Sequence, residues 1–424
     1  MRYQPGFCTK SFYFYLLFAL AVLLTAIGSL SADPVKAEAF PFSKPAFPKA
    51  QNGQQRAKVS TAAFSPDGTL LILGMESGHI VIWDMTYLKY KASLPGHSKA
   101  VKFIRFGTGD RYALTGAAKE DLNVILWDLQ AKKAVLSFQG APLRMLYDAK
   151  LGPKGHYALS RGFDGFGVLW DLKTNKKLTE LFTYGFDFNP QGTRFATTPS
   201  RKPGAQIIRL SDRKEIGAVA RENRASVSQV RFSPTGKILA TVQAAQGPSE
   251  VVLWDADTFK AKRRIPVPAD SSAANDKEAE PVWVGGIDFS HDGKQLFVGC
   301  SDGRILALDT DNGKELKTVR FPGNLSVESL QYIAEPSPAI LAHATDSDFN
   351  VQSALWKGSG LSPVWQIPGR VAVDKSCRVG ATVTPEGHVL LFDPQSPARA
   401  TQLRGFKNGS RWMTVKPTAW KPQP

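Results

Sequence analysis

Residues 59–84 read VSTAAFSPDGTLLILGMESGHIVIWD, and their parts fall in a fixed order. An apolar run reaches the turn Pro66-Asp67-Gly68, a second ends near Ser77-Gly78, and a third, His79 to Asp84, closes on Trp83-Asp84. The same order returns down the chain. Trp83-Asp84 recurs as Trp127-Asp128, Trp170-Asp171 and Trp254-Asp255, at intervals of 44, 43 and 84 residues, so the last interval holds two repeats. The missing close is Ile208-Arg209-Leu210-Ser211, and downstream the close decays to Leu308-Asp309, Trp356-Lys357 and Phe392-Asp393.

A second series agrees. Turn motifs stand at FSPDG (64), FGTGD (106), LGPKG (151), FNPQG (188), FSPTG (232) and FSHDG (289), with weaker counterparts at Tyr332 and Val373. Both series count eight. Residues 57–405 number 349, about 43.6 per repeat for eight repeats and about 49.9 for seven. A period of about 40–45 residues with a Trp-Asp close belongs to propeller blades. After each close a further apolar segment, such as Lys89 to Leu94, Lys132 to Phe138 or Lys176 to Phe182, supplies a fourth strand. The expected fold is therefore all-β, a β-propeller of four-stranded blades, with eight blades favoured and seven the alternative.

On these residues the chain resembles the WD-repeat propeller family over roughly 350 of its 424 residues. The resemblance is strong in the first, second, third and fifth repeats and weak in the seventh and eighth. It implies blade-closing roles for Trp83, Asp84, Trp170, Asp171, Trp254 and Asp255. It also implies a bonded structural tetrad of His, Ser or Thr, Asp and Trp, which the second repeat alone supplies in full through His97, Thr115, Asp121 and Trp127. The third repeat keeps Ser160, Asp164 and Trp170 without the His, and the first lacks both the His and the hydroxyl.

Around the repeats the composition changes. Residues 1–32 read as a signal peptide or membrane anchor: Arg2 and Lys10 precede the apolar run Phe12 to Ile27, and small residues follow. The candidate cleavage points are after Ser31 or Ala32, or after Ala39; an uncleaved anchor is the alternative. Residues 33–56 form a linker rich in Pro and Phe, 57–405 the propeller, and 406–424 a C-terminal tail. The expected location is exported, periplasmic or extracellular, with membrane contact only through an uncleaved N-terminal segment.

Two insertions break the spacing. Pro266 to Pro281 is made acidic by Asp270, Asp276, Glu278 and Glu280 and is a candidate partner-binding loop, and Gln243 to Glu250 interrupts the fifth repeat on the same rim. The formal charge of +16 gathers partly at Lys132-Lys133, Lys176-Lys177, Arg213-Lys214, Lys262-Arg263-Arg264, Lys314 and Lys317, on or beside fourth strands. These residues offer adhesion to an anionic envelope surface, although lysines on an outermost strand also serve to deter strand addition. Nucleic acid is excluded as a partner, because basic residues are not interleaved with exposed aromatics.

The chemistry expected of an enzyme is missing. No haem attachment, zinc spacing, phosphate-cradling loop or nucleophile elbow is present, the six histidines are scattered, and Cys300 and Cys377 sit too far apart to bridge. No catalytic, cofactor-binding or metal residue is assigned. The expected function is a non-enzymatic protein-interaction scaffold outside the cytoplasm, in the periplasm or cell envelope. The alternative is an eight-bladed enzyme of the quinone-dependent dehydrogenase type, which would need a ring of polar residues and a calcium-binding carboxylate at one channel mouth.

Overall fold

The computed structural model of the chain describes residues 58–405 and 412–413, apart from 108, 118–120, 122–123, 139–145, 163, 200–202, 221–225, 245–248, 269–281, 322, 324, 335–337, 359, 375–376, 384–386 and 395–399. The signal or anchor segment 1–32, the linker 33–56, most of the tail 406–424 and the loop residues Asp270, Asp276, Glu278 and Glu280 lie outside the described residues.

Among the described residues all regular structure is β-strand, as short apolar runs between Gly, Pro and Asp turns demand. The first repeat folds as Val59–Phe64, Leu70–Met75, Ile80–Asp84 and Lys89–Leu94, each strand antiparallel to the next. Four-stranded sheets of the same order follow at residues 101–138, 226–266, 284–320 and 326–368. Residues 146–219 instead form one sheet of seven strands. Its strand Lys176–Phe188 pairs with Phe166–Asp171 through its first half and with Arg194–Pro199 through its second, the register breaking between Thr183 and Phe186. Two repeats share that strand, with no loop where they join. The last sheet, from Val371–Val373 to Ala400–Gly405, gains a fifth short strand, Trp412–Met413, from what the sequence marks only as tail.

First strands of successive sheets touch one another, so they are innermost, and fourth strands lie outside. Burial follows that order. In the first repeat the second strand is buried throughout, while the fourth, Lys89–Leu94, is exposed or half-buried along its whole length. A strand sandwiched between neighbouring sheets must be apolar on both faces, which is why Ile80-Val81-Ile82-Trp83 does not alternate.

Each closing residue packs on the preceding sheet. Trp127 meets Ile72 and Ile82 of the first sheet, Trp170 meets Leu114 and Leu126, Trp254 meets Ile207 and Val219, and Leu308 takes the same place on Val251 and Leu253. Trp83 has no preceding sheet in sequence, and it packs on Val389 and Leu391 of the last one. The amide of Val59 donates to the carbonyl of Gly387 at 3.0 Å across the same junction. The succession of sheets therefore closes upon itself through apolar packing.

The aspartate after the tryptophan has a separate task. Asp255 Oδ1 accepts from the amides of Asp257 (3.1 Å) and Thr258 (2.8 Å), and Asp309 Oδ1 accepts from Asp311 and Asn312, both at 2.9 Å. Asp84, Asp128 and Asp171 cap their turns alike. Four residues on from Asp84, Asp128, Asp171, Arg209, Asp255, Asp309 and Lys357 the backbone turns left-handed, at Leu88, Lys132, Asn175, Arg213, Phe259, Gly313 and Leu361, and only one of these is the glycine that such φ values favour. In the fifth repeat Gln243 and Glu250 pair with each other, so the insertion read there shrinks to the residues between them.

Candidate functional site

The antiparallel order gives the ring two unlike faces. One carries the connections between repeats and the turns between second and third strands; the other carries the first turns and the aspartate-capped turns. Of the exposed large apolar side chains among the described residues, Tyr147, Phe182, Tyr184, Trp283 and Phe349 lie at the connection end of their strands or turns. Tyr87 lies on the capped turns, and Val135 and Leu316 lie along fourth strands. Trp283 is 51% exposed, a large fraction for an indole that could have been buried.

Tyr147, Phe182 and Tyr184 belong to the sheet shared by the third and fourth repeats, whereas Trp283 and Phe349 stand on the sixth and seventh. Arg161, on Tyr157–Gly162, holds its guanidinium 4.3 Å from the centroid of the Tyr147 ring. Phe166 meets Phe182 edge-on at 5.2 Å, and a side chain at Gly165 would sit 3.6 Å from the Tyr184 ring. Arg161 pairs in register with Gly167, and Gly167 with Leu181, so Arg161 lies on the face of the sheet opposite Phe166 and Phe182.

Toward the central axis the side chains satisfy one another. The penultimate residue of the innermost strand is Arg105, Lys150, Asp187, Arg231 and Asp288 in repeats two to six. Arg105 pairs with Asp148 of the next repeat at 3.1 Å, Lys150 with Asp187 at 2.9 Å, and Arg231 with Asp288 at 2.8 Å while standing 3.9 Å from Asp187. Asp288 Oδ2 then accepts from the amide of Tyr332 at 2.9 Å. Asp288, and Asp187 behind it, push the Arg231 guanidinium far up in pKa against its burial. This is a ladder of compensated charges between successive repeats, with each cation already facing an aspartate.

The tetrad residues come together in the second repeat. Trp127 Nε1 donates to Thr115 Oγ1 at 2.8 Å, and Thr115 Oγ1 lies 2.7 Å from His97 Nε2. Indole can only donate, so Thr115 accepts from it; with the Asp121 carboxylate on the Nδ1 side of the ring, the neutral imidazole keeps its proton there and takes the Thr115 hydroxyl at Nε2. The Nδ1 proton then faces Asp121 Oδ2 at 3.6 Å, while that oxygen also takes the Ser98 hydroxyl at 3.1 Å and the Ser98 amide. Burial lowers the His97 pKa, with the Asp121 charge opposing, so the imidazole is neutral. In the third repeat Trp170 donates to Ser160 at 3.0 Å, and in the fifth Trp254 donates to Thr241 at 2.9 Å, a hydroxyl that the sequence reading passed over.

The remaining chemical groups are locked in place. His343 shares a 2.7 Å hydrogen bond with Ser353, and burial, helped by Arg370 and Arg105, pushes its pKa down to about 3. Burial pushes the thiols of Cys300 and Cys377 up to about 12, and neither is in a disulfide. Among the described residues no group of three or more His, Cys, Asp and Glu side chains is placed to hold a metal ion.

The family model described as WD domain, G-beta repeat, matches residues 49–84, 88–128 and 278–306. The chain is 34% identical over 91 residues to the Set1 complex component swd1 of Schizosaccharomyces pombe, covering 21% of this chain and 22% of that protein. It is 24% identical over 280 residues to the nuclear distribution protein PAC1 of Arthroderma otae, covering 63% and 53%. The chain thus spans about half of one relative and about a fifth of the other. The solved β-propeller domain of Cps50 (Swd1) from Myceliophteria thermophila matches with a TM-score of 0.52 at 17% identity, over 70% of this chain and 97% of that domain, a likeness of fold alone.

Proposed function

We propose that this chain, a divergent member of the WD-repeat β-propeller family, is a non-enzymatic scaffold that holds a protein partner on its connection face and works outside the cytoplasm. The observation that carries the reading is the gathering of exposed aromatic rings, Tyr147, Phe182, Tyr184 and Trp283, on that one face. Tyr, Trp and Arg supply most of the energy in protein interfaces, and apolar surface left in water on a rigid frame marks where a partner sits. The charge ladder supports the same assignment, since its cations are already matched by carboxylates. By its name one relative is a component of a complex, which suits a binding role.

The ring is taken to hold eight blades. That count treats residues 146–219 as two blades sharing Lys176–Phe188. The tetrad His97, Thr115, Asp121 and Trp127 is assigned to blade stability, and the acidic stretch with Asp270, Asp276, Glu278 and Glu280 is kept as a candidate partner-binding loop. Export rests on the apolar run Phe12 to Ile27 behind Arg2 and Lys10. The exposed lysines of the fourth strands and capped turns would lean on an anionic envelope surface.

The test is photocrosslinking in the native cell with the crosslinker placed at Tyr184, Trp283, Tyr87 or Lys132. Adducts to a distinct protein are expected from the first two positions. Adducts from the last two alone would sink the assignment of the face. Cell fractionation with N-terminal sequencing of the recovered protein tests export separately, and a cytoplasmic product with an intact N-terminus would end that part.

A further inference from the structure

On the face opposite the connections, the turns of the third, fourth and fifth repeats are described without a gap, and their charges are unbalanced. Lys154 and Lys237 stand on first turns, in an inner row, and Lys173, Arg213, Lys214 and Lys260 stand on capped turns, in an outer row. All six are exposed, and none is in an ion pair among the described residues. The carboxylates of the same turns are engaged. Asp171 and Asp255 cap their own turn amides, Asp212 holds Arg209 at 2.9 Å, and Asp257 holds Arg194 at 2.7 Å. Neighbouring turns touch, so the two rows share one surface. Lys154 Cγ lies 3.3 Å from the place a Cβ would take at Gly192, and Gln191 Nε2 donates to Thr235 O at 3.3 Å. Further out, the Arg194–Asp257 pair joins the fourth repeat to the fifth, and the Phe259 ring lies over Gly217.

We infer that this face docks a linear acidic polysaccharide, whose negative groups follow the two rows from the third repeat to the fifth. The inference rests on the reading above that the protein leans on an anionic envelope surface, and it names the polymer and the face. Lysines on an outermost strand deter strand addition, but a turn has no open strand edge to guard, so these six cations serve no such end. Five of the six are lysines, compact point charges on flexible stems. They suit a chain read by its charge density more than by the shape of any one group. A bilayer would be gripped by exposed aromatic or aliphatic tips among the cations, and an acidic protein by the apolar anchors of an interface. Among the described residues these turns carry no exposed large apolar side chain. A polysaccharide with a carboxylate on each sugar asks for neither. The formal charge of +16 draws such a chain toward the protein from a distance.

The test measures binding of fluorescein-labelled alginate, a polyuronate, to the intact protein by anisotropy. Neutral dextran, and vesicles of phosphatidylcholine with phosphatidylglycerol, form separate arms. The expected result is saturable binding of alginate and none of dextran, weakening roughly a hundredfold between about 50 and 200 mM salt. Lys173→Gln with Lys237→Gln and Lys260→Gln should weaken alginate binding roughly tenfold or more and flatten its salt dependence. Lys173→Arg with Lys237→Arg and Lys260→Arg keeps the charge and should keep the affinity within about twofold. Lys58→Gln with Lys102→Gln and Arg370→Gln, an equal loss of charge on the connection face, should also leave it within about twofold. Melting temperatures of the variants separate lost binding from lost fold. Alginate binding that survives in the folded Lys173, Lys237 and Lys260 glutamine variant, or that falls equally in both glutamine variants, would overturn the inference. Vesicles bound through Lys173, Lys237 and Lys260, with no binding of alginate, would overturn it while leaving the anionic-surface reading intact; binding of neither would take both down.

Discussion

Trp254 donates its indole proton to Thr241 Oγ1 at 2.9 Å, across paired strands of one sheet, and the same bond joins Trp127 to Thr115 and Trp170 to Ser160. The hydroxyl lets a large ring be buried between sheets without stranding its one polar atom. Thr241→Val removes the acceptor for Trp254, and for the Gln243 side chain at 3.2 Å, at an expected cost of about 1–3 kcal/mol. Thr115→Val strands both Trp127 and His97 and should cost more, about 2–4 kcal/mol. Urea midpoints of the two variants give the ranking, and equal losses would show that the bond to His97 is worth no more than the longer one to Gln243.

His343 makes stability depend on pH. Its folded-state pKa is depressed to about 3 from 6.5, so the unfolded chain binds a proton below about 6.5 that the folded chain refuses. Its contribution is whole above that pH, shrinks as pH falls through the window and is gone by about 3. Between pH 7 and pH 5 the expected loss from this one residue is of order 2 kcal/mol. His343→Gln should flatten the difference between unfolding curves at those two pH values.

Arg231 holds two aspartates of neighbouring repeats, Asp288 at 2.8 Å and Asp187 at 3.9 Å. Arg231→Met leaves Asp288 without its cation and Asp187 with Lys150 alone, with an expected cost of about 2 kcal/mol or more. Adding Asp288→Asn should return part of that loss, because it removes the stranded charge. A double-mutant cycle by chemical unfolding measures the return, and strict additivity would mean that the pair is not coupled.

The capped turns offer small, opposite changes. Asp255→Ala removes the acceptor for two turn amides and should cost about 1 kcal/mol. Lys132 sits at φ 54°, where a side chain is strained, so Lys132→Gly should gain a few tenths to about 1 kcal/mol. Differential scanning calorimetry resolves both if the shifts have the expected signs.

The repeat was legible because its two marks act locally. Trp83 is placed by its own strand and Asp84 by the turn that follows, so both leave a trace at fixed spacing. The junction at Thr183–Tyr184–Gly185 was not legible, since a strand that passes from one repeat into the next has no turn residues to announce it. Pairs such as Lys150 and Asp187, or Arg231 and Asp288, are 37 and 57 residues apart, and nothing local links them. Aligning the penultimate residue of each innermost strand would have exposed the run Lys150, Asp187, Arg231, Asp288. Arg161 and Tyr147 meet across neighbouring strands, with side chains that read as ordinary surface in the sequence. Thr241 lay within an apolar run, where a hydroxyl passes for a filler.

Because Lys176–Phe188 is the outer edge of one sheet and the inner edge of the next, neither sheet can peel away without dragging its neighbour. Residues 146–219 should therefore exchange their amide hydrogens as one cooperative block.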